Sequence, residues 1–210
     1  MYLEWLILVA RVLGVLLIHE LGHLVAARFF GLKVSSLSIG LGPEIIGFTD
    51  RSGTRWKVAL LPMGGSCAFS VDTSAQTSCL AQSPDYRTFS SASQRERAMV
   101  YAAGPFFNLA FASIVFLGII CQSGKFTIVS IEQTETELAL LIGGLSASIG
   151  LFNLLPLLPL DGGRLILLAF EACRGRPVAE KDEKHLYRIG ASILAGVTIV
   201  SALFLFKFIG

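Results

Sequence analysis

The chain is short of charge and of amide side chains: 15% of its 210 residues are charged, and Asn occurs only at 108 and 153. With 53% hydrophobic residues and a mean hydropathy of +0.69, so little charge excludes an ordinary water-soluble domain of this length. The bilayer is the expected solvent. The formal charge of +2 is dispersed, so the basic stripe that a nucleic-acid partner requires is lacking. Four cysteines, at 67, 79, 121 and 173, show no Cys-x-x-Cys spacing, and free thiols are expected. The chain also lacks repeats and low-complexity tracts, and its one linker-like stretch, 70–93, is rich in Ser, Thr, Ala and Gln. A single membrane domain over 1–210 is expected.

What is present is long apolar runs. A hydrocarbon core about 30 Å thick needs about 20 mostly apolar residues per helix, and the segments at about 3–30, 99–121, 138–160 and 189–209 approach or exceed that length. The first runs on into His-Glu-Leu-Gly-His without a small-residue cleavage pattern, so it is expected to stay in the mature protein rather than to leave as a signal peptide. Of 17 Lys and Arg residues, eight lie in 28–98 and six in 164–188, whereas 122–137 holds only Lys125. The excess of positive charge puts both basic loops in the cytoplasm and both termini outside. Two partly alternating runs, 34–46 and 56–61, flank a polar Asp50-Arg51-Ser52-Gly53 turn and read as a β-hairpin. Its apolar, Gly- and Pro-rich ends predict a membrane-re-entrant hairpin over about 34–69, with Trp56 to Leu61 as an edge strand open to a bound peptide. The fold class expected is therefore mainly α: a polytopic membrane protein with four transmembrane helices and a re-entrant β-hairpin between helices one and two. The segment 122–137 is short and acidic, with one possible strand at 126–131.

His19-Glu20-Leu21-Gly22-His23 places two imidazoles one helical turn apart, able to share a zinc ion, with Glu20 beside a metal-bound water. Ionisable groups inside an apolar helix are costly in lipid and mark function. From Trp5, an interface anchor, fourteen residues at 1.5 Å each put His19 roughly 21 Å deep, in the inner half of the membrane. Catalytic zinc takes three protein ligands and keeps a position for water. Asp161, which ends the third apolar run at a matching depth, is the candidate third ligand. Asn108 and Asn153 both lie in membrane segments beside prolines, Pro105 and Pro156. A buried amide there can hydrogen-bond a peptide backbone that has lost its helical partners, or join helices. His185, in the second basic loop, has no ligand at helical spacing and is expected to be solvated.

Together His19 to His23, Leu61-Pro62-Met63-Gly64-Gly65, Ala103-Gly104-Pro105-Phe106-Phe107-Asn108 and the run from Asn153 to Gly163 resemble the site-2 protease family of intramembrane zinc metalloproteases. The likeness is to the bacterial regulator of sigma-E protease group, without the PDZ domain that its members carry between helices two and three. The resemblance implies one zinc ion held by His19, His23 and Asp161, Glu20 as general base, and Asn108 and Asn153 as substrate-contacting residues. It implies regulated proteolysis of transmembrane protein substrates within the lipid bilayer of a bacterial inner membrane. Two other readings are weighed beside it: a non-catalytic zinc-binding membrane scaffold, and a metal or solute transporter, which fits broken helices and a midplane site but lacks an internal repeat.

Overall fold

The computed structural model describes residues 2–69, 87–123 and 133–209, and the chain divides into two compact units, Met1–Phe152 and Asn153–Gly210. The possible strand at 126–131 and most of the linker-like stretch lie outside the described residues. In order, the elements are α1 (Tyr2–Phe29), β1 (Val34–Thr49), β2 (Arg55–Phe69), α2 (Gln94–Ser123), α3 (Gln133–Asn153), α4 (Asp161–Arg174) and α5 (Glu180–Ile209). Helix dominates. Three helical stretches among the described residues are long and apolar enough to cross a membrane: Leu6–Phe29, Gln94–Cys121 and Thr136–Asn153.

In the first unit, α1 buries one stripe and exposes the rest. Val15, His19, Glu20, His23, Leu24 and Ala27 recur at helical spacing on the buried face, while Leu6, Val25 and Phe29 stay exposed, as helices bathed in lipid require. The helix stops at Gly31, whose φ of 67° suits a residue without Cβ. There the Gly31 N–H bonds the Arg28 carbonyl and the Leu32 N–H bonds that of Ala27, which satisfies the last carbonyls of the helix. At the start of α2 the Ser93 hydroxyl accepts from the Glu96 N–H while the Glu96 carboxylate accepts from the Ser93 N–H, a reciprocal cap. The core gathers where these ends meet: Leu24, Ala27, Leu32, Val34, Leu37, Ala92 and Val100, with Trp56, Phe69 and Phe89 packed against them.

The hairpin forms between the residues expected, and its pairing is more elaborate than a simple ribbon. β1 and β2 pair antiparallel through Glu44 to Thr49 with Ala59 to Arg55, and again through Val34 to Ile39 with Phe69 to Gly65. Between these rows, Ser36, Leu37, Ser38 and Ile39 also face Arg55, Trp56, Lys57 and Val58, with partner numbers rising together. Arg55 to Val58 therefore have partners on both sides. The expected edge strand at Trp56 to Leu61 is corrected accordingly: its first three residues are interior, and the rows with one partnered side among the described residues are 44–49 and 65–69. The physical reason is bending. Gly40, Gly42 and Gly64 adopt φ of 89°, 99° and 74°, so each long strand folds beside itself, which alternation along the sequence does not reveal.

In the second unit the path departs from a third helix running through 138–160 and a basic loop at 164–188. α3 stops at Asn153, since Pro156 and Pro159 withhold backbone donors and disfavour helix before them. The chain turns through 154–160 and restarts as α4, which ends at Gly175, a left-handed cap whose N–H bonds the Glu171 carbonyl. Basic residues predict a loop there, but Leu165, Leu168, Ala169 and Ala172 recur at helical spacing and specify a short helix. His185 is exposed as expected, on α5 rather than in a loop.

Candidate metal centre

His19 and His23 face one another on the buried stripe of α1. Their Nε2 atoms lie 3.2 Å apart and their rings meet edge to face at 80°. Both residues and Glu20 are at most 6% exposed. His23 Nδ1 is 2.8 Å from the Val100 carbonyl oxygen of α2. A carbonyl only accepts, so Nδ1 carries the ring's hydrogen and Nε2 of the neutral ring presents a lone pair. This is the outer hydrogen bond that fixes a metal-binding imidazole. On the other ring, the Asn108 amide lies 3.4 Å from His19 Nδ1.

Close backbone approach builds the walls. At Gly22, a Cβ would come within 2.5 Å of the Ala103 carbonyl oxygen, so α1 and α2 cross in contact. Such a crossing requires small residues. A Cβ on Gly104 would collide with His23 Nε2 and reach 2.8 Å from His19 Nε2. A Cβ on Gly65 would lie 2.6 Å from Glu20 Oε1. Thus the 65–69 row of β2 starts at the glutamate, and α2 passes beside the imidazole nitrogens. In the sequence, Leu61 to Gly65 marks a membrane-dipping hairpin end as well as the resemblance, and Ala103 to Asn108 marks the resemblance. The physical task of their glycines, letting main chain approach the site, was missed, although Gly in an apolar helix is itself a signal of close approach.

The structure thus brings together His19, Glu20, His23 and Asn108. Asn153 and Asp161 belong to the second unit, at the end of α3 and in the first turn of α4. The start of α4 is fixed by close packing: a Cβ on Gly162 would lie 2.5 Å from the Leu155 carbonyl oxygen, and one on Gly163 would lie 2.6 Å from that of Leu157. The Leu-Asp-Gly-Gly run therefore holds Asp161 on a braced helix start.

Outside the membrane-length segments, Asp50 ties the hairpin turn to α1. Its Oδ1 accepts from the Ser52 and Thr54 N–H groups at 2.9 and 3.0 Å, and its Oδ2 from Trp56 Nε1 at 3.0 Å. Arg28 of α1 pairs with the same Oδ2 and reaches the Thr54 hydroxyl. Burial pushes the carboxyl up, but the hydrogen bonds from Trp56, Arg28 and Thr54 and the Arg28 charge outweigh it and lower its pKa from 3.8 to about 2.

The family described as Peptidase family M50 matches residues 7–137 and 123–197. Among curated proteins named "Putative zinc metalloprotease", one from Rickettsia conorii is 38% identical over 132 residues, 62% of this chain and 34% of its own length. One from Mesorhizobium japonicum is 36% identical over 53% of this chain and 33% of its own. One from Brucella suis is 38% identical over 49% and 29%. The chain spans about a third of the length of these relatives.

Proposed function

The chain belongs to peptidase family M50, and from that premise we propose that it is a membrane-embedded zinc endopeptidase acting on peptide bonds in or beside the spanning segments of other membrane proteins. One observation carries the reading: within a membrane-length helix, two buried imidazoles turn Nε2 toward Nε2 at 3.2 Å beside a buried glutamate. The donors fit a borderline metal such as zinc, since His23 is held by its outer nitrogen and turns Nε2 toward that of His19. Asp161 completes a set of three ligands with His19 and His23. When bound, zinc supplies Lewis-acid polarisation of the scissile carbonyl and of the attacking water.

Glu20 takes a proton from the water as its oxygen bonds to the carbonyl carbon, and delivers that proton to the amide nitrogen as the C–N bond breaks. Products are one carboxylate and one amine. A substrate helix must first lose its internal hydrogen bonds, and the 65–69 row, which begins at Glu20, offers main-chain donors and acceptors to the unwound segment. Asn153 assists there with its amide. Asn108 is wholly buried against His19, which favours a role toward that ring over direct contact with substrate.

The membrane reading extends to four spans, with 189–209 as the fourth, to a hairpin that re-enters the bilayer, and to termini facing outward in a bacterial inner membrane. The positive charges of 28–98 and 164–188 support that orientation. The whole of 1–210 acts as one catalytic domain. The deciding experiment reconstitutes the purified chain with a membrane-segment peptide and compares it with Glu20→Gln. The variant should keep zinc, its ligands being untouched, and lose cleavage by several orders of magnitude. Equal cleavage by both proteins would remove Glu20 from the mechanism, and zinc binding without cleavage by either would favour the scaffold.

A further inference from the structure

Among the described residues, one buried polar atom of the site has no hydrogen-bond partner, Oδ1 of Asn108. The residue cannot drift to relieve it. Asn108 is 0% exposed, its carbonyl oxygen accepts from Ser146 Oγ of α3 at 2.9 Å, and Gly150 brings the α3 backbone against its Cβ. A buried oxygen left in this way costs about 1–3 kcal/mol. His23 donates Nδ1–H to Val100, which turns its Nε2 toward that of His19 at 3.2 Å. The Asn108 amide lies 3.4 Å from His19 Nδ1, within reach of the outer nitrogen of that ring.

A neutral His19 that offers Nε2 to a metal carries its hydrogen on Nδ1, and that N–H cannot face the N–H end of the Asn108 amide. Turning the amide by 180° cures the conflict, because its two ends are nearly the same size and Oδ1 then accepts from Nδ1–H. We propose that Asn108 is a positioning residue whose Oδ1 accepts from His19 Nδ1–H and thereby sets the tautomer that binds metal. The inference rests on the reading of His19 and His23 as zinc ligands.

The test is zinc affinity of the full chain in detergent, measured by competition against a chelator, with thermal unfolding of the metal-free protein beside it. Asn108→Leu and Asn108→Ala should bind zinc about 10–100-fold more weakly, as loss of an outer-shell partner does. Asn108→Asp, which keeps an acceptor oxygen, should stay close to the wild type. Metal-free Asn108→Leu, which keeps the branched shape of the side chain, should melt close to the wild type, which separates this role from a structural one. Wild-type affinity in Asn108→Leu, or equal weakening in Asn108→Asp, would overturn the inference. Should the apolar variants fail to fold, Asn108→Ser, polar but too short to reach His19, must bind weakly too, and undiminished binding would count against the idea. A wild type no tighter for zinc than His19→Ala would instead overturn the proposed function itself.

Discussion

At Gly104 the α2 backbone comes so close to both histidines that one methyl group would displace them. Alanine is intrinsically the better helix former by about 1 kcal/mol. Gly104→Ala should therefore leave α2 helical by circular dichroism while zinc content measured on the purified protein falls severalfold. Full occupancy in that variant would mean the rings yield more easily than their hydrogen bonds to Val100 and Asn108 imply. Gly65→Ala tests the other wall. Its Cβ would press on Glu20 Oε1, so cleavage should drop at least tenfold with zinc retained, through misplacement of the base rather than loss of the metal. Loss of zinc together with activity would show that the glutamate wall also shapes the ligands.

The hairpin makes three further predictions. Arg55 to Val58 are paired on both sides, so Val58→Pro removes an interior ladder bond and should unfold the hairpin, at a cost of about 3 kcal/mol or more. In the 65–69 row, neighbouring N–H groups point to opposite sides. Of Ser66→Pro and Cys67→Pro, one should abolish cleavage far more than the other while zinc binding persists in both. Equal loss would remove main-chain pairing with substrate from the mechanism. The turn itself is sensitive to acid. Because the folded Asp50 carboxyl titrates near 2 rather than 3.8, its contribution is present above that higher value and is lost as pH falls through about 2. With Arg28 40% exposed, screening reduces this to about 1 kcal/mol. Asp50→Asn should flatten the acid limb of a stability profile followed by Trp56 fluorescence, and an unchanged limb would assign it to other groups.

For the whole molecule, the proposed topology has a direct test. With native cysteines replaced, Tyr2→Cys should react with an impermeant thiol reagent in intact cells, and Ser91→Cys should react only after the membrane is opened. The reverse pattern would invert the molecule.

Much of this molecule was written in local patterns. Three membrane-length helices follow from apolar runs, the hairpin from alternation around Asp50 to Gly53, and the candidate chemistry from the spacing of His19, Glu20 and His23. These features depend on residues close together in the chain, where period and spacing are sufficient. What the sequence left open depended on approaches between distant segments. Nothing local says that Trp56 lies inside the sheet and 65–69 at its edge, because the bends at Gly40 and Gly64 decide which rows meet. Nor does a local pattern say that Val100 and Asn108 address the outer nitrogens of the two rings, or that Gly65 and Gly104 are glycine because carboxylate and imidazole occupy the space a Cβ would need. Identity and spacing set the chemistry available, whereas tertiary packing decided which atom each group presents to the site.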